Sequence, residues 1–165
     1  MNCVDQLLNR RSIRKYRKET IPEDIKNGIL EAGRLAPSAT NVQPWHFIVT
    51  TSPEGRDACS FGNFNRWTSE ADFIVVGVYR KNNPMMDNYA KMDVTIALQN
   101  MVIAGWLQGV GSCWIGAWND VNLRQVLEIP ADCVIVGIIP FGYPDELPIT
   151  PSKKPLDQII HKEKW

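Results

Sequence analysis

Apolar residues recur along this chain with two different periods, and the change of period marks its elements. Near the start, Val4, Leu7 and Leu8 share one side of a short helix that Asn2 can cap and that reaches Arg10. Thr20 and Glu23 form a capping-box pattern for a second helix, with Pro22 in its tolerant first turn. Ile25, Ile29, Leu30, Ala32 and Ala36 give that helix an inward face, and Pro37 stops it. The pattern then changes to short apolar runs bounded by turn residues, which predicts strands over 45–51, 73–79, 112–115 and 133–139. Between the second and third strands the helical period returns over 93–108 and ends at Gly109 and Gly111. Asn119 or Asp120 caps a last, shorter helix to Leu127, with Pro130 beyond it.

Two stretches break the pattern. Residues 80–88 (RKNNPMMDN) read as a polar loop that could form a lid or a substrate wall. The segment 140–155 contains five prolines, so it is expected to run extended over a surface before a short final strand at 156–160. Such a tail suits docking on another subunit. No internal repeat or low-complexity tract is visible.

Length and charge narrow the class. A chain of 165 residues supports one domain, taken here as 1–165, with a sizeable core. Lys plus Arg and Asp plus Glu number 18 each, so no global field draws nucleic acid or an anionic membrane. Positive charge is instead local: Arg10, Arg11, Arg14, Lys15, Arg17 and Lys18 crowd one short stretch. A nucleic-acid contact there is the weakest reading, given the balanced total. The start MNCVDQLLNRR lacks a secretory pattern, and the apolar stretch 94–110 is interrupted by Thr95, Gln99, Asn100 and Gln108, which suits a buried helix better than a bilayer. Cys3, Cys59, Cys113 and Cys133 are scattered without a metal-binding spacing, as expected of free thiols in the cytoplasm.

Three segments carry candidate chemistry. RRSIRKY (10–16) places Arg10, Arg11 and Arg14 around the Ser12 hydroxyl where a helix ends. Guanidinium offers fixed, bidentate donors that stay charged, so this is a plausible phosphate clamp, although alone it reads first as a solvated helix end. PSATNVQPWHF (37–47) sets small hydroxyl and amide residues between two prolines and runs directly into a strand. Standing alone, it could equally be a well-capped loop. GVGSCWIGAW (109–118) has Trp114 where a dinucleotide-binding loop needs its third glycine, and it follows a helix rather than a strand. It reads as an ordinary helix-to-strand turn or as a strand end whose backbone at Ile115 and Gly116 can approach a flat ring. With only His46 and His161, a histidine metal site is not expected, and neither a serine-hydrolase elbow nor a phosphate-binding P-loop is present. Trp45, Trp106 and Trp114 are expected in the core. The first two segments together fit a phosphorylated, planar, hydrogen-bond-rich ligand, and the residues alone make them halves of one pocket.

In this order, the three segments resemble the flavin-dependent nitroreductase family, in particular its short bacterial and archaeal members, essentially end to end. RRSIRKY is similar to that family's opening motif, PSATNVQPWHF to its second flavin segment, and GVGSCWIG to its helix-to-strand signature. The resemblance implies an α+β fold: a mixed, mostly antiparallel sheet flanked by helices. It also implies an intertwined homodimer, with a C-terminal extension from about 140 to 165 packing on the partner and two FMN molecules at the interface. Carried over by position, Arg10, Arg11, Ser12 and Arg14 would hold the phosphate, ribityl chain and pyrimidine edge. Pro37, Ser38, Ala39, Asn41 and Gln43 would approach the same flavin from the other subunit. Trp114, Ile115 and Gly116 would line one ring face and supply backbone donors near N5, and Asn65 would reach the pyrimidine edge.

The sequence departs from the family at two places. A C-terminal arginine is replaced by SKKPL, so Lys153 or Lys154 would face the phosphate with a point charge in place of a bidentate fork. The excursion that covers the flavin in longer members shrinks to 80–93, which leaves an open pocket with Met85, Met86 and Tyr89 as candidate walls. The implied activity is an FMN-dependent oxidoreductase that takes hydride from NADH or NADPH and reduces a nitroaromatic, quinone or similar small acceptor. No side chain is required as an acid or base, so no catalytic residue is named. The alternatives are other flavin chemistries on the same fold, such as reductive dehalogenation, enoate oxidation or flavin fragmentation, and a flavin-storage module.

Overall fold

The structure, a computed structural model, describes residues 2–165. Residue 1 of the expected domain lies outside them. Its frame is a four-stranded sheet in the order β1-β2-β4-β3, from β1 (Trp45–Thr50), β2 (Phe73–Arg80), β3 (Gly111–Ser112) and β4 (Cys133–Gly142). All three ladders are antiparallel. A parallel bridge joins Ser12 to Ser112.

β2 reads FIVVGVYR because it is buried on both faces, where alternation has no use. Ile74, Val76 and Val78 pack with Ile13, Tyr16, Leu123 and Ile138 on one side. Phe73, Val75 and Tyr79 pack with Ile29, Val94, Leu98, Met101 and Phe141 on the other. The second side is covered by α2 (Glu23–Arg34) and α4 (Pro84–Leu107), the first by α3 (Pro53–Ala58), α5 (Asp120–Val126) and the extended residues 12–16. Asn119 caps α5 as expected, accepting from the Asn122 amide at 3.1 Å.

Several expectations need correction. The first helix, α1 (Cys3–Leu8), ends before Arg10, and Val4, Leu7 and Leu8 are exposed rather than inward. α2 starts without a side-chain cap because its N-cap residue is Pro22 rather than Thr20, which makes Glu23 the first helical residue, where its carboxylate bonds Lys26. Its inner face is completed by Lys26 and Gly33, while Ile25, Leu30 and Ala32 are half-buried. Of the expected loop 80–88, Arg80 ends β2 and 81–83 are irregular, but 84–88 begin α4: Asn83 accepts from the Met86 amide at 2.9 Å and Pro84 occupies the first turn. α3 was not anticipated, although Ser52 followed by Pro53 is a capped helix start.

The third strand is shorter than 112–115, with Ile115 rejoining β4 through a separate bridge to Ile138. β4 continues through Pro140, where the tail was expected to begin. Ile138 gives its carbonyl to Ile115, so alternation turns the Pro140 nitrogen to the same side, at the gap between Ser112 and Ile115 where no donor is needed. The final element is a 3-10 turn, Leu156–Gln158, in place of a strand.

Lys26 deserves its place on the buried face. Its ammonium lies 3.1 Å from Asp72 and 3.2 Å from Glu23, above the Phe73 ring. Burial alone would lower its pKa, but the bonds to Asp72 and Glu23 outweigh that and raise it above 10.5. Asp72 in turn accepts from the Ile21 amide, so the pair ties the entry of α2 to the start of β2. Lys26→Ala and Lys26→Met both strand a half-buried carboxylate; the first is expected to cost about 3 kcal/mol in denaturant unfolding and the second somewhat less, because Met keeps the apolar stem over Phe73. Because the folded pKa is raised, this contribution is complete below the ordinary value and fades as pH climbs through the raised one. On the alkaline side, the gap between wild type and Lys26→Met should therefore narrow as pH passes through the raised value.

Candidate functional site

Past the end of α1 the chain turns and runs beside β3, with the Ile13 amide donating to the Ser112 carbonyl at 2.9 Å. Ile13 and Tyr16 point into the core, and the Tyr16 hydroxyl donates to the Ile13 carbonyl at 2.8 Å. Arg10, Ser12 and Arg14 are left on the outer side. There they line a cavity of about 410 Å³ with Arg11, Thr150 and Lys153. Lys154 is not part of its wall.

The three arginines are not equivalent. Arg11 donates to the carbonyls of Leu8 and Arg10 at 3.2 and 2.8 Å, and to the Thr150 hydroxyl at 3.2 and 2.6 Å. It thus straps the tail to the end of α1, whose carbonyls a cation suits. Among the described residues, the guanidinium groups of Arg10 and Arg14 make no hydrogen bond or ion pair. The Glu146 carboxylate accepts from the Arg14 and Lys15 amides, which fixes the backbone beneath the clamp. Cys113 lies close by, its thiol pushed up by burial against the opposing pull of Arg14, a Ser12 hydrogen bond and Arg10. Burial pushes Cys59 up to about 12. Neither is a ready thiolate nucleophile.

The second segment is a tight loop on the far edge of the sheet. Thr40, Asn41 and Gln43 have φ of 49°, 58° and 52°, a left-handed conformation that is costly for Thr40 in particular. The Ser38 hydroxyl accepts from the Gln43 amide at 2.9 Å, and the Gln43 side chain donates to the Asn41 carbonyl at 3.2 Å. Pro37, Asn41 and Gln43 are exposed, whereas Ser38 and Ala39 are half-buried. The Ala39 amide points at Asp93 of α4, 3.2 and 3.3 Å from the two carboxylate oxygens.

These first two segments are not brought together within the chain. One borders β3 and the other leads into β1, three strand spacings or roughly 14 Å apart. Ser112 lies opposite Phe141 while Trp45 is level with Tyr79 and Val134, which adds roughly 23 Å along the strands. The cavity at the arginines contains no residue of the second segment.

The third segment lies between them. Ile115 is buried and its amide is engaged with the Ile138 carbonyl at 2.9 Å, so it is not a free donor; Gly116 is exposed, with open space around it. Trp114 is not a core residue, since over a third of it is exposed, and Trp45 and Trp106 are only half-buried. The Trp114 indole lies over Gly137 and donates to Gln99 of α4 at 2.9 Å. Gly137 pairs with Gly77 across the β2–β4 ladder, and these two glycines open a trough into which the indole and Leu98 sink. Asn65 is buried and engaged at both ends, accepting from the Phe61 amide and donating to the Ala117 carbonyl. It stitches residues 61–65 to the segment that bears Trp114. Met85 and Tyr89 are exposed on the first turns of α4, and Met86 lines a separate 190 Å³ cavity with Val42, His46, Arg80 and Asp93.

The Nitroreductase family model matches residues 7–72 and 61–143, which include all three segments. The chain belongs to the nitroreductase family. A relative from Archaeoglobus fulgidus, named "Putative NADH dehydrogenase/NAD(P)H nitroreductase", is 34% identical over 99% of this chain and 98% of its own. The NADH dehydrogenase of Thermus thermophilus is 26% identical over 93% of this chain and 92% of its own. Among solved structures, an FMN-dependent nitroreductase from Clostridium difficile superposes with a TM-score of 0.84 at 25% identity, covering 98% of this chain and 99% of that one. The nitroreductase fold is thus shared along nearly the whole length.

In this nitroreductase-family chain, Glu146, Thr150, Gln99 and Gly137 support the segments without belonging to any motif. A Cβ at Gly137 would sit 2.6 Å from the Trp114 ring. Gly137→Ala is expected to cost about 1–3 kcal/mol and to alter tryptophan fluorescence as the indole leaves its trough, measurable in one thermal melt followed by emission.

Proposed function

We propose that this protein is an FMN-dependent oxidoreductase that takes hydride from NADH or NADPH and delivers it to a nitroaromatic, a quinone or a similar small acceptor, and that it works as a homodimer. The observation that carries the reading is the 410 Å³ cavity where Arg10 and Arg14 have no protein partner while Arg11 is held by Thr150. Two unspent guanidinium groups, the Ser12 hydroxyl and Lys153 on one wall fit a phosphate-bearing group by charge and by donor count. Family membership and the FMN-dependent relative support the same cofactor.

In this reading Arg10, Arg14 and Lys153 bind the phosphate, with Lys153 favoured over Lys154 by its place in the cavity wall. Arg11 and Glu146 keep the clamp's backbone in shape. Trp114 offers an aromatic face beside the ring, and the Gly116 amide, which makes no bond among the described residues, is the free donor for charge developing near N5. Pro37, Ser38, Ala39, Asn41 and Gln43 meet the flavin of the second subunit, a division that the distance between the two segments supports. Bound FMN would supply the hydride chemistry itself. The short span of 80–93 leaves room for flat acceptors of varied shape, with Met85 and Tyr89 at the rim.

The tail supports the dimer. Leu147, Ile149, Leu156, Ile159, Ile160 and Trp165 are all exposed, an unusual density of apolar side chains for a free surface. β1 pairs only with β2 and leaves an open edge, beside which Trp45, Phe47, Val49 and Leu30 line a groove of about 720 Å³. The tail of a second copy fits that groove by character. Four free cysteines suit a reducing cytoplasm, and no helix among the described residues is long and apolar enough to cross a membrane.

Purified protein is expected to be yellow or to take up added FMN, and NADH or NADPH should bleach it anaerobically. Arg10→Ala and Arg14→Ala should each weaken FMN binding by about tenfold or more, as loss of a charged hydrogen bond implies. Unchanged flavin retention in both variants would contradict the phosphate assignment.

A further inference from the structure

Asp93 stands out among the residues that no motif explains. It projects from the buried face of α4, between Ala90 and Val94, and is only 5% exposed. A carboxylate in such a place is expensive unless something compensates it. Among the described residues its hydrogen-bonded partner is a single main-chain group, the Ala39 amide, which is shared almost evenly between the two oxygens. That amide opens the loop in which Thr40, Asn41 and Gln43 are left-handed. A strained loop persists only when its surroundings hold it, and the bonds inside this one, Asn41 to Ser38 and Gln43 to Ser38, do not attach it to the body of the fold.

We propose that Asp93 is a positioning residue that holds the second flavin segment in its cofactor-ready shape through the Ala39 amide, an inference that rests on the FMN reading above. A charged acceptor makes a stronger bond to an amide than a neutral one, which accounts for an acid at a position where packing alone would favour an apolar residue. The long helix α4 then supports two flavin segments at once: Asp93 anchors the Ala39 loop and Gln99, less than two turns further on, anchors the Trp114 indole.

The test compares Asp93→Leu, Asp93→Ala and Asp93→Asn in the full chain, reading thermal stability, amide hydrogen exchange of residues 39–43 in the flavin-free protein, and FMN affinity. Asp93→Leu removes a buried charge but leaves the Ala39 amide without its acceptor, so it is expected to stay folded with a modest loss of melting temperature. It should nevertheless exchange faster at Ala39 and bind FMN about tenfold more weakly or worse. Asp93→Asn retains an acceptor and should restore slow exchange and most of the affinity. Wild-type exchange at Ala39 in Asp93→Leu would overturn the proposal whether or not FMN binds. Loss of folding in both Asp93→Leu and Asp93→Ala would assign Asp93 a purely structural role and overturn it as well. FMN binding by the wild type that persists at full strength in Asp93→Leu refutes the inference alone, whereas a wild type that refuses FMN refutes the underlying reading.

Discussion

The antiparallel ladder between β2 and β4 is buried on both faces, and this constraint governs where anything else can go. Two apolar layers occupy the faces, so groups that could meet a ligand are displaced to the ends and edges of the sheet. The arginine clamp sits beside β3 and the small-residue loop before β1, at diagonal corners. At the Gly77–Gly137 pair the ladder itself yields, and an aromatic side chain occupies the space it leaves. The proposed flavin site draws on both corners, so in that reading each of two copies of the chain supplies a different corner.

Charge is distributed by the same logic. Lys26 is affordable in the core because Asp72 and Glu23 meet it, and Arg11 is neutralised in effect by carbonyls and a hydroxyl. Arg10 and Arg14, a residue or two away from groups that are fully engaged, keep their donors unspent. Uncompensated positive charge at a cavity wall destabilises a chain slightly through self-repulsion, and an anionic ligand relieves it. Under the proposed function, that anion is the flavin phosphate.

Much of this was legible in the residues. β2 and β4 announced themselves as apolar runs between turn residues, and the Asn119 cap lay where its spacing required. The start of α4 was not legible: Asn83 and Pro84 are loop formers by composition, and the same two residues are a cap and a first turn. The tail misled in a different way, since one proline, Pro140, is tolerated in β4 where its pairing with β3 is interrupted. For the site, the motifs named residue types well but not their allegiance. Whether Arg11 binds a ligand or a tail depends on Thr150, which is 139 positions away, and whether Trp114 is core or surface depends on Gln99 and Gly137. Such partners are set by tertiary contact and leave no local signal.

Subunit mixing tests the divided site most directly. One chain carries Arg10→Ala with Arg14→Ala, the other Asn41→Ala with Gln43→Ala, and each alone is expected to bind FMN poorly. If the clamp of one subunit and the loop of the other serve the same flavin, unfolding and refolding the two together rebuilds one site in each mixed dimer, and flavin binding reappears. Binding in the mixture no better than the average of the two separate variants would contradict the account.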